Sequence, residues 1–297
     1  MGQVLESRDT AAPAAVHGDP LPRRAGRWLV RAFGPVNDVL SAVETGVAVQ
    51  RPIVTGRRIA VDGPHDAADG GAVAALLSLV FAHYRQDRVL ALDVASGQAP
   101  LARRFGAQAR QSLVDIAREA PPDSFDAVEP LLSAVRDRLW LLPGSPGGRV
   151  GLDVRAYRKA LLPLSRFFGV TVIRSGSGLP AELRDSVAAD AHAHVLVAEE
   201  TRDGVVGVGR ILDRLVAADD SAPGRTVVVL VAPEVGTDPT YDLPGAVDLL
   251  RGDGIGVFRL GRDRHLSATS VIDPRRLARA THTTVTQVAA EVLRRSM

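Results

Sequence analysis

The segment RRIAVDGPHDAADGGAVAALLSLVFAHYRQDRVLALDVAS, which begins at Arg57, gathers several chemistry-bearing residues at one point. Two apolar runs flank a helical stretch, which is the layout of a phosphate-binding strand–loop–helix–strand unit. The loop at its centre contains His65, Asp66 and Asp69, followed by Gly70, Gly71 and Ala72. Glycines there would let backbone N–H groups approach an anion at a helix N-terminus. The two carboxylates oppose that use, because like charges at close range repel unless a cation lies between them. A hard cation held by His65, Asp66 and Asp69 would relieve the repulsion, whereas short Asp- and Gly-rich loops are more commonly turns; no metal site is assigned.

Three other motifs invite a chemical reading. His192-Ala193-His194 opens a strand and has the His-x-His spacing of several metal sites, with alternate residues facing one way. No third ligand stands at a recognisable spacing, so strand-edge histidines are the simpler reading. SGSG at Ser175–Gly178 lacks the elbow context of a serine nucleophile and is read as turn chemistry. DGVVGVG at Asp203–Gly209 imitates a dinucleotide fingerprint but opens a helix at the wrong spacing; its glycines suit close helix packing instead.

These residues must be held by elements the sequence also announces. Arg58–Val61, Val89–Asp93, Leu139–Leu142, Val170–Ile173, Ala193–Ala198, Thr226–Ala232 and Ile255–Leu260 read as short buried strands. Helices are expected over Gly71–Tyr84, Ala109–Glu119, Asp126–Asp137, Asp153–Phe168, Val205–Ala217 and Val285–Arg295. Strands alternating with helices predict an α/β domain, a doubly wound and mainly parallel sheet flanked by helices, over residues 57–297. Residues 1–21 are rich in Ala, Pro, Gly and charge, and are expected to be a disordered tail. Residues 22–56 form an amphipathic arm or linker, broken at Gly34-Pro35. Its arginines around Trp28 and Phe33 suit a helix packed on the domain or a partner; weak peripheral membrane contact through 23–33 is the other reading.

With these elements in place, the sequence resembles the MinD/ParA-like P-loop ATPases, in particular their actinobacterial MinD-like subgroup, some members of which are associated with type VII secretion. The resemblance rests on Arg57–Leu77, on the strand ending Leu92-Asp93 and on GVTVIRSGSGL at Gly169–Leu179, and runs from about Pro52 to the C-terminus. It implies a P-loop NTPase-like fold and a deviant Walker A loop of the form Lys/Arg-Gly-Gly-x-Gly-Lys-Thr/Ser-Thr. Aligned without a gap, the first basic residue falls on His65, the next two glycines on Asp66 and Ala67, and the third on Asp69. The phosphate-contacting lysine falls on Gly70, and the hydroxyl pair on Gly71 and Ala72. Of the family's two acids after the second strand, Asp93 is retained and the water-orienting one is Ala95. The Walker B aspartate maps to Arg174, while the turn glycines Gly176 and Gly178 persist. An adenine-reading Asn is absent near Val231. The chain's one lysine, Lys159, lies on an expected solvated helix face.

The resemblance therefore implies a pseudo-ATPase with no catalytic residues, its nucleotide positions kept only in degenerate form. Arg174 opposite Asp66 or Asp69 is the expected ion pair filling the former Mg²⁺–phosphate space. No cofactor is expected; residual ATP or ADP binding stays open, as does a divergent ATPase that still turns ATP over. The implied partner is a protein, either an active paralogue or a second copy of the chain in a dimer.

Bulk composition is consistent with these expectations. The chain has 297 residues, 46% hydrophobic and 24% charged, enough for one large core. Its formal charge of +2 carries no basic stripe with interleaved aromatics, so nucleic acid is not indicated. Cysteine is absent, which excludes disulfides, thiolate nucleophiles and cysteine metal sites. No transmembrane-length apolar run or signal-peptide pattern is present, and a cytoplasmic location is expected.

Overall fold

The structure is a computed structural model that describes residues 36–64, 70–95, 100–145, 151–176, 178–233, 236 and 241–297. The chain divides into two compact units, 1–42 and 43–297. In the first unit the described residues are the opening turns of helix α1 (Val36–Val49). The expected tail, Gly34-Pro35 and the segment 23–33 lie outside the described residues.

The second unit is built on an eight-stranded sheet. Its strands are β1 (Arg57–Asp62), β2 (Val89–Asp93), β3 (Ser133–Arg136), β4 (Leu139–Pro143), β5 (Val170–Arg174), β6 (Ala193–Glu199), β7 (Thr226–Val231) and β8 (Gly256–Leu260). They lie in the order β3-β4-β2-β5-β1-β6-β7-β8, and all pairs are parallel except the β3–β4 hairpin. Every residue of β2, β4 and β5 is buried. That pattern requires helices on both faces and explains why these strands read as continuous apolar runs rather than alternating ones.

One face carries α2 (Gly70–Tyr84), α3 (Pro100–Phe105) and α11 (Arg279–Arg295), which share a core with Ile59, Val61, Val172 and Val195. Helix α2 is buried from Ala72 to Ala82 without interruption, as befits a helix packed between sheet and neighbouring helices. Its one buried hydroxyl, on Ser78, donates to the Ala74 carbonyl at 2.8 Å.

The opposite face carries two separate cores. Helices α4 (Leu113–Arg118), α6 (Val154–Ser165) and α7 (Ala181–Asp190) pack over Ala60, Leu90, Leu92 and Ile173. Helices α8 (Arg202–Ala218) and α9 (Leu243–Gly252) pack over Leu196, Ala198, Val228 and Leu230. A short α10 (Arg264–Ala268) follows β8. No helix among the described residues is long and apolar enough to cross a membrane.

The expected helix over Asp126–Asp137 is not formed. Only α5 (Phe125–Val128) is helical, a 3₁₀ turn covers Glu129–Leu131, and β3 follows. Pro130 cannot donate to a continuing helix, and Arg138, at φ +60°, closes the tight turn that folds β3 back onto β4. Likewise Ala109–Glu119 shortens to α4, because Ser112 caps it: the Ser112 hydroxyl accepts from the Asp115 N–H, and the Asp115 carboxylate accepts from the Ser112 N–H.

Candidate functional site at the carboxyl edge of the sheet

In open α/β sheets ligands bind outside the carboxyl ends of the strands, where the strand order reverses. Here the chain leaves β1 for β2, on one side, and returns through β5 before continuing to β6 on the other. The ends of β1, β2 and β5 therefore enclose the crevice, with the first turn of α2 beside it.

Asp93 closes β2 and Arg174 closes β5, and the two are direct partners in the parallel ladder. Residues opposite one another on adjacent strands point to the same face, so the opposite charges meet. The Arg174 guanidinium donates from Nη1 to Asp93 Oδ1 at 2.9 Å. Asp93 Oδ2 accepts from the Leu101 N–H, at the start of α3, at 3.1 Å. Both residues are buried, 3% exposed for Asp93 and 7% for Arg174. Burial raises the Asp93 carboxyl above the usual carboxylate range, and Arg174 together with the Leu101 and Ala95 N–H groups pulls against that rise. Arg174 Nε is buried without an acceptor among the described residues.

The surrounding backbone fixes the pair. Val94 N–H donates to the Arg174 carbonyl at 2.9 Å, and Gly144 N–H donates to the Asp93 carbonyl at 2.6 Å. On the other side of β5, Ser175 donates to the Val61 carbonyl through both its N–H, at 3.0 Å, and its hydroxyl, at 3.2 Å. Ser175 is thus tied into the strand end rather than poised as a nucleophile. Asp62 closes β1 and accepts from the Gly63 N–H at 2.8 Å.

The other expected positions distribute around this pair. Gly70, Gly71 and Ala72 form the first turn of α2, and Ala95 follows β2, half-buried. Gly176 is buried and its carbonyl accepts from the Leu179 N–H, while Gly178 is exposed. His65, Asp66 and Asp69 lie outside the described residues, so the partner described for Arg174 is Asp93 instead of either loop acid. Lys159 is exposed on α6. Sequence reasoning treated Asp93 and Arg174 as separate motif positions and missed both their contact and the Leu101 donor. The available signal was that two opposite charges each end a mostly apolar strand.

The histidine motif is structural. His192 Nδ1 accepts the Arg58 N–H at 2.9 Å, extending the pairing of β1 with β6. His194 is buried, and burial with nearby Arg225 lowers its pKa to about 4. Among the described residues, no three His, Asp or Glu side chains gather as a metal would require. In DGVVGVG, a Cβ on Gly204 would overlap the Glu199 carbonyl oxygen and one on Gly207 the Pro64 ring. These glycines let α8 seat against β6 and the end of β1.

No family model matches the chain. Over 160 residues it is 28% identical to the ESX-1 secretion-associated protein EspI of Mycobacterium tuberculosis, a stretch that covers 53% of this chain and 24% of that protein. Solved structures cover more of it. A ParA family ATPase from Chlorobium tepidum has a TM-score of 0.64 at 17% identity, over 79% of this chain and 98% of that one. A chain of the MinC:MinD cell division protein complex of Aquifex aeolicus superposes with a TM-score of 0.59 at 15% identity, over 80% of this chain and 96% of that one. With its eight-stranded, mainly parallel sheet flanked by helices and superposing on such neighbours, the chain has the MinD/ParA-like P-loop NTPase fold.

Proposed function

We propose that this chain is a MinD/ParA-like protein that has given up ATP turnover and acts by association with a protein partner, as a regulator or scaffold in a secretion, division or partitioning system. The observation that carries the reading is the buried Asp93–Arg174 pair. A magnesium-supporting acid is expected at the end of β5, and a guanidinium stands there instead. The retained acid, Asp93, already holds that guanidinium and a backbone N–H. A cation entering the crevice would have to break the pair, and separating one partner from a buried ion pair costs about 3–5 kcal/mol. Gly70 at the phosphate-lysine position and Ala95 at the water-orienting position support the same reading, and the one lysine is exposed on α6.

Without a γ-phosphate to shift its equilibrium, such a protein holds one conformation and presents a constant surface. An active paralogue or a second copy of the chain is the proposed companion. The likeness to a secretion-associated protein, limited to about half of this chain, favours a secretion setting.

A second reading has one feature behind it. A cavity of about 370 Å³ opens at the carboxyl ends of β7 and β8, between Ala72, Val231, Gly261 and Asp263. It offers room for a base, so ATP or ADP held through backbone and base contacts fits a divergent relative. Phosphate release measured with ATP and Mg²⁺ separates the two. We expect none above buffer; release that saturates with ATP and disappears on removing Mg²⁺ would sink the inactive reading.

A further inference from the structure

Helices α7 and α8 run over the same face of the sheet, α7 above β1 and α8 above β6, yet they belong to different cores. Leu183 and Val187 of α7 pack toward α6, whereas Val208 and Leu212 of α8 pack toward α9. The seam between them is a groove made of two adjoining cavities, of about 460 and 580 Å³, which share Asp62, Arg184, Ile211 and Arg214. Gly207 against Pro64 closes one end.

The upper cavity faces three arginines: Arg184 from α7, and Arg210 and Arg214 one turn apart on α8. None of the three guanidinium groups has a hydrogen bond or ion pair among the described residues. The Nε of Arg184 is moreover buried with no acceptor. A guanidinium presents five donors that match a carboxylate in a fork, and burying one unmet costs free energy. Other arginines of the domain are engaged: Arg85 with Asp87, Arg259 with Glu200, Arg225 with Asp219. Against the three stand Asp203, exposed in the first turn of α8, and Asp62, which already accepts from Gly63. The lower cavity adds Ala188, Ala189, Leu215 and Ala218, beside Asp185 and the Asp219–Arg225 ion pair.

We propose that this groove docks a partner's peptide segment in which acidic residues precede apolar ones. The carboxylates would be taken by Arg184, Arg210 and Arg214, and the small apolar side chains would receive the rest. Two cavities in line exceed what a single phosphate needs, and the alanine and leucine side chains of the lower one suit apolar groups. The inference rests on the reading of the protein as an association module and names the surface through which it associates.

The test uses the full chain and fluorescence anisotropy. The probe is a labelled synthetic peptide with a glutamate triplet followed by leucines and alanines, and its control carries glutamines for the glutamates. The first peptide is expected to bind saturably. Its affinity should fall about tenfold or more in the Arg210→Gln/Arg214→Gln double variant, which alters two exposed helix positions and leaves the core intact. Circular dichroism of the variant confirms that it folds. Equal affinity for both peptides, equal affinity for both proteins, no binding, or displacement by inorganic phosphate alone would each overturn the proposal. ATP turnover with peptide binding intact would remove the inactive reading and leave the groove. Peptide binding indifferent to the arginines, without turnover, would do the reverse.

Discussion

Asp93 and Arg174 sit where water cannot compensate either charge, so each depends on the other. Arg174→Ala would leave a buried carboxylate with backbone donors only, and a loss of about 3–5 kcal/mol is expected from urea unfolding. Replacing both by apolar residues of similar volume, Asp93→Leu with Arg174→Met, should cost much less than either single change, because buried pairs often break even against hydrophobic isosteres. A double variant as unstable as Arg174→Ala would mean that the pair itself holds the strand ends. His194 offers a second test. Its pKa is lowered to about 4 by burial and Arg225, so the fold favours the neutral ring. Its contribution is complete above the unfolded value near 6.5 and is lost as pH falls from there toward 4. His194→Asn should flatten the stability profile in that window by roughly 2–3 kcal/mol relative to the native protein. Parallel profiles for the two proteins would contradict the assigned cause.

At the scale of elements, α8 shows how glycine spacing can imitate a motif and serve packing. Gly204 approaches the backbone oxygen of Glu199, which cannot move aside, while Gly209, in the same helix, has open space at its Cβ position. Gly204→Ala is therefore expected to destabilise by about 1–3 kcal/mol through overpacking. Gly209→Ala should instead stabilise by about 0.5–1 kcal/mol, since alanine loses less backbone entropy in a helix. Thermal denaturation of the two variants side by side decides the matter; matching shifts would remove the packing explanation. The same helix marks what could be read ahead of the structure. Seven strands announced themselves as mainly apolar runs, most plainly β2, β4 and β5, which are buried throughout because both sheet faces are covered there. The hairpin strand β3 did not, since Ser133–Arg136 lies at the sheet edge with Ala134 and Arg136 exposed, and its signal was the Asp137-Arg138 turn. The Asp93–Arg174 contact was only hinted at by the charges that end the two strands. It requires β5 to insert between β2 and β1, and strand order is a long-range property that neither segment encodes alone.

For the molecule as a whole, the fold and the chemistry of the crevice make separable statements about nucleotide. The sheet topology provides a crevice, the β7–β8 cavity has room for a base, and the ends of β2 and β5 carry an internal ion pair. A ligand that binds only the folded state raises stability by RT ln(1 + [L]/Kd), about 2.7 kcal/mol at a hundredfold excess over Kd. Thermal unfolding with ATP, ADP, and each with Mg²⁺ therefore sorts three states of the crevice. Association without nucleotide leaves the midpoint unchanged in all four conditions, and this is the expected result. Retained base and backbone contacts would raise it equally for ATP and ADP, with no dependence on Mg²⁺, because Asp93 is already held by Arg174. A larger rise with Mg²⁺-ATP than with ADP would require γ-phosphate and metal contacts. The Asp93–Arg174 pair would then have to open on binding, and Arg174→Ala should enhance the Mg²⁺ effect by freeing Asp93.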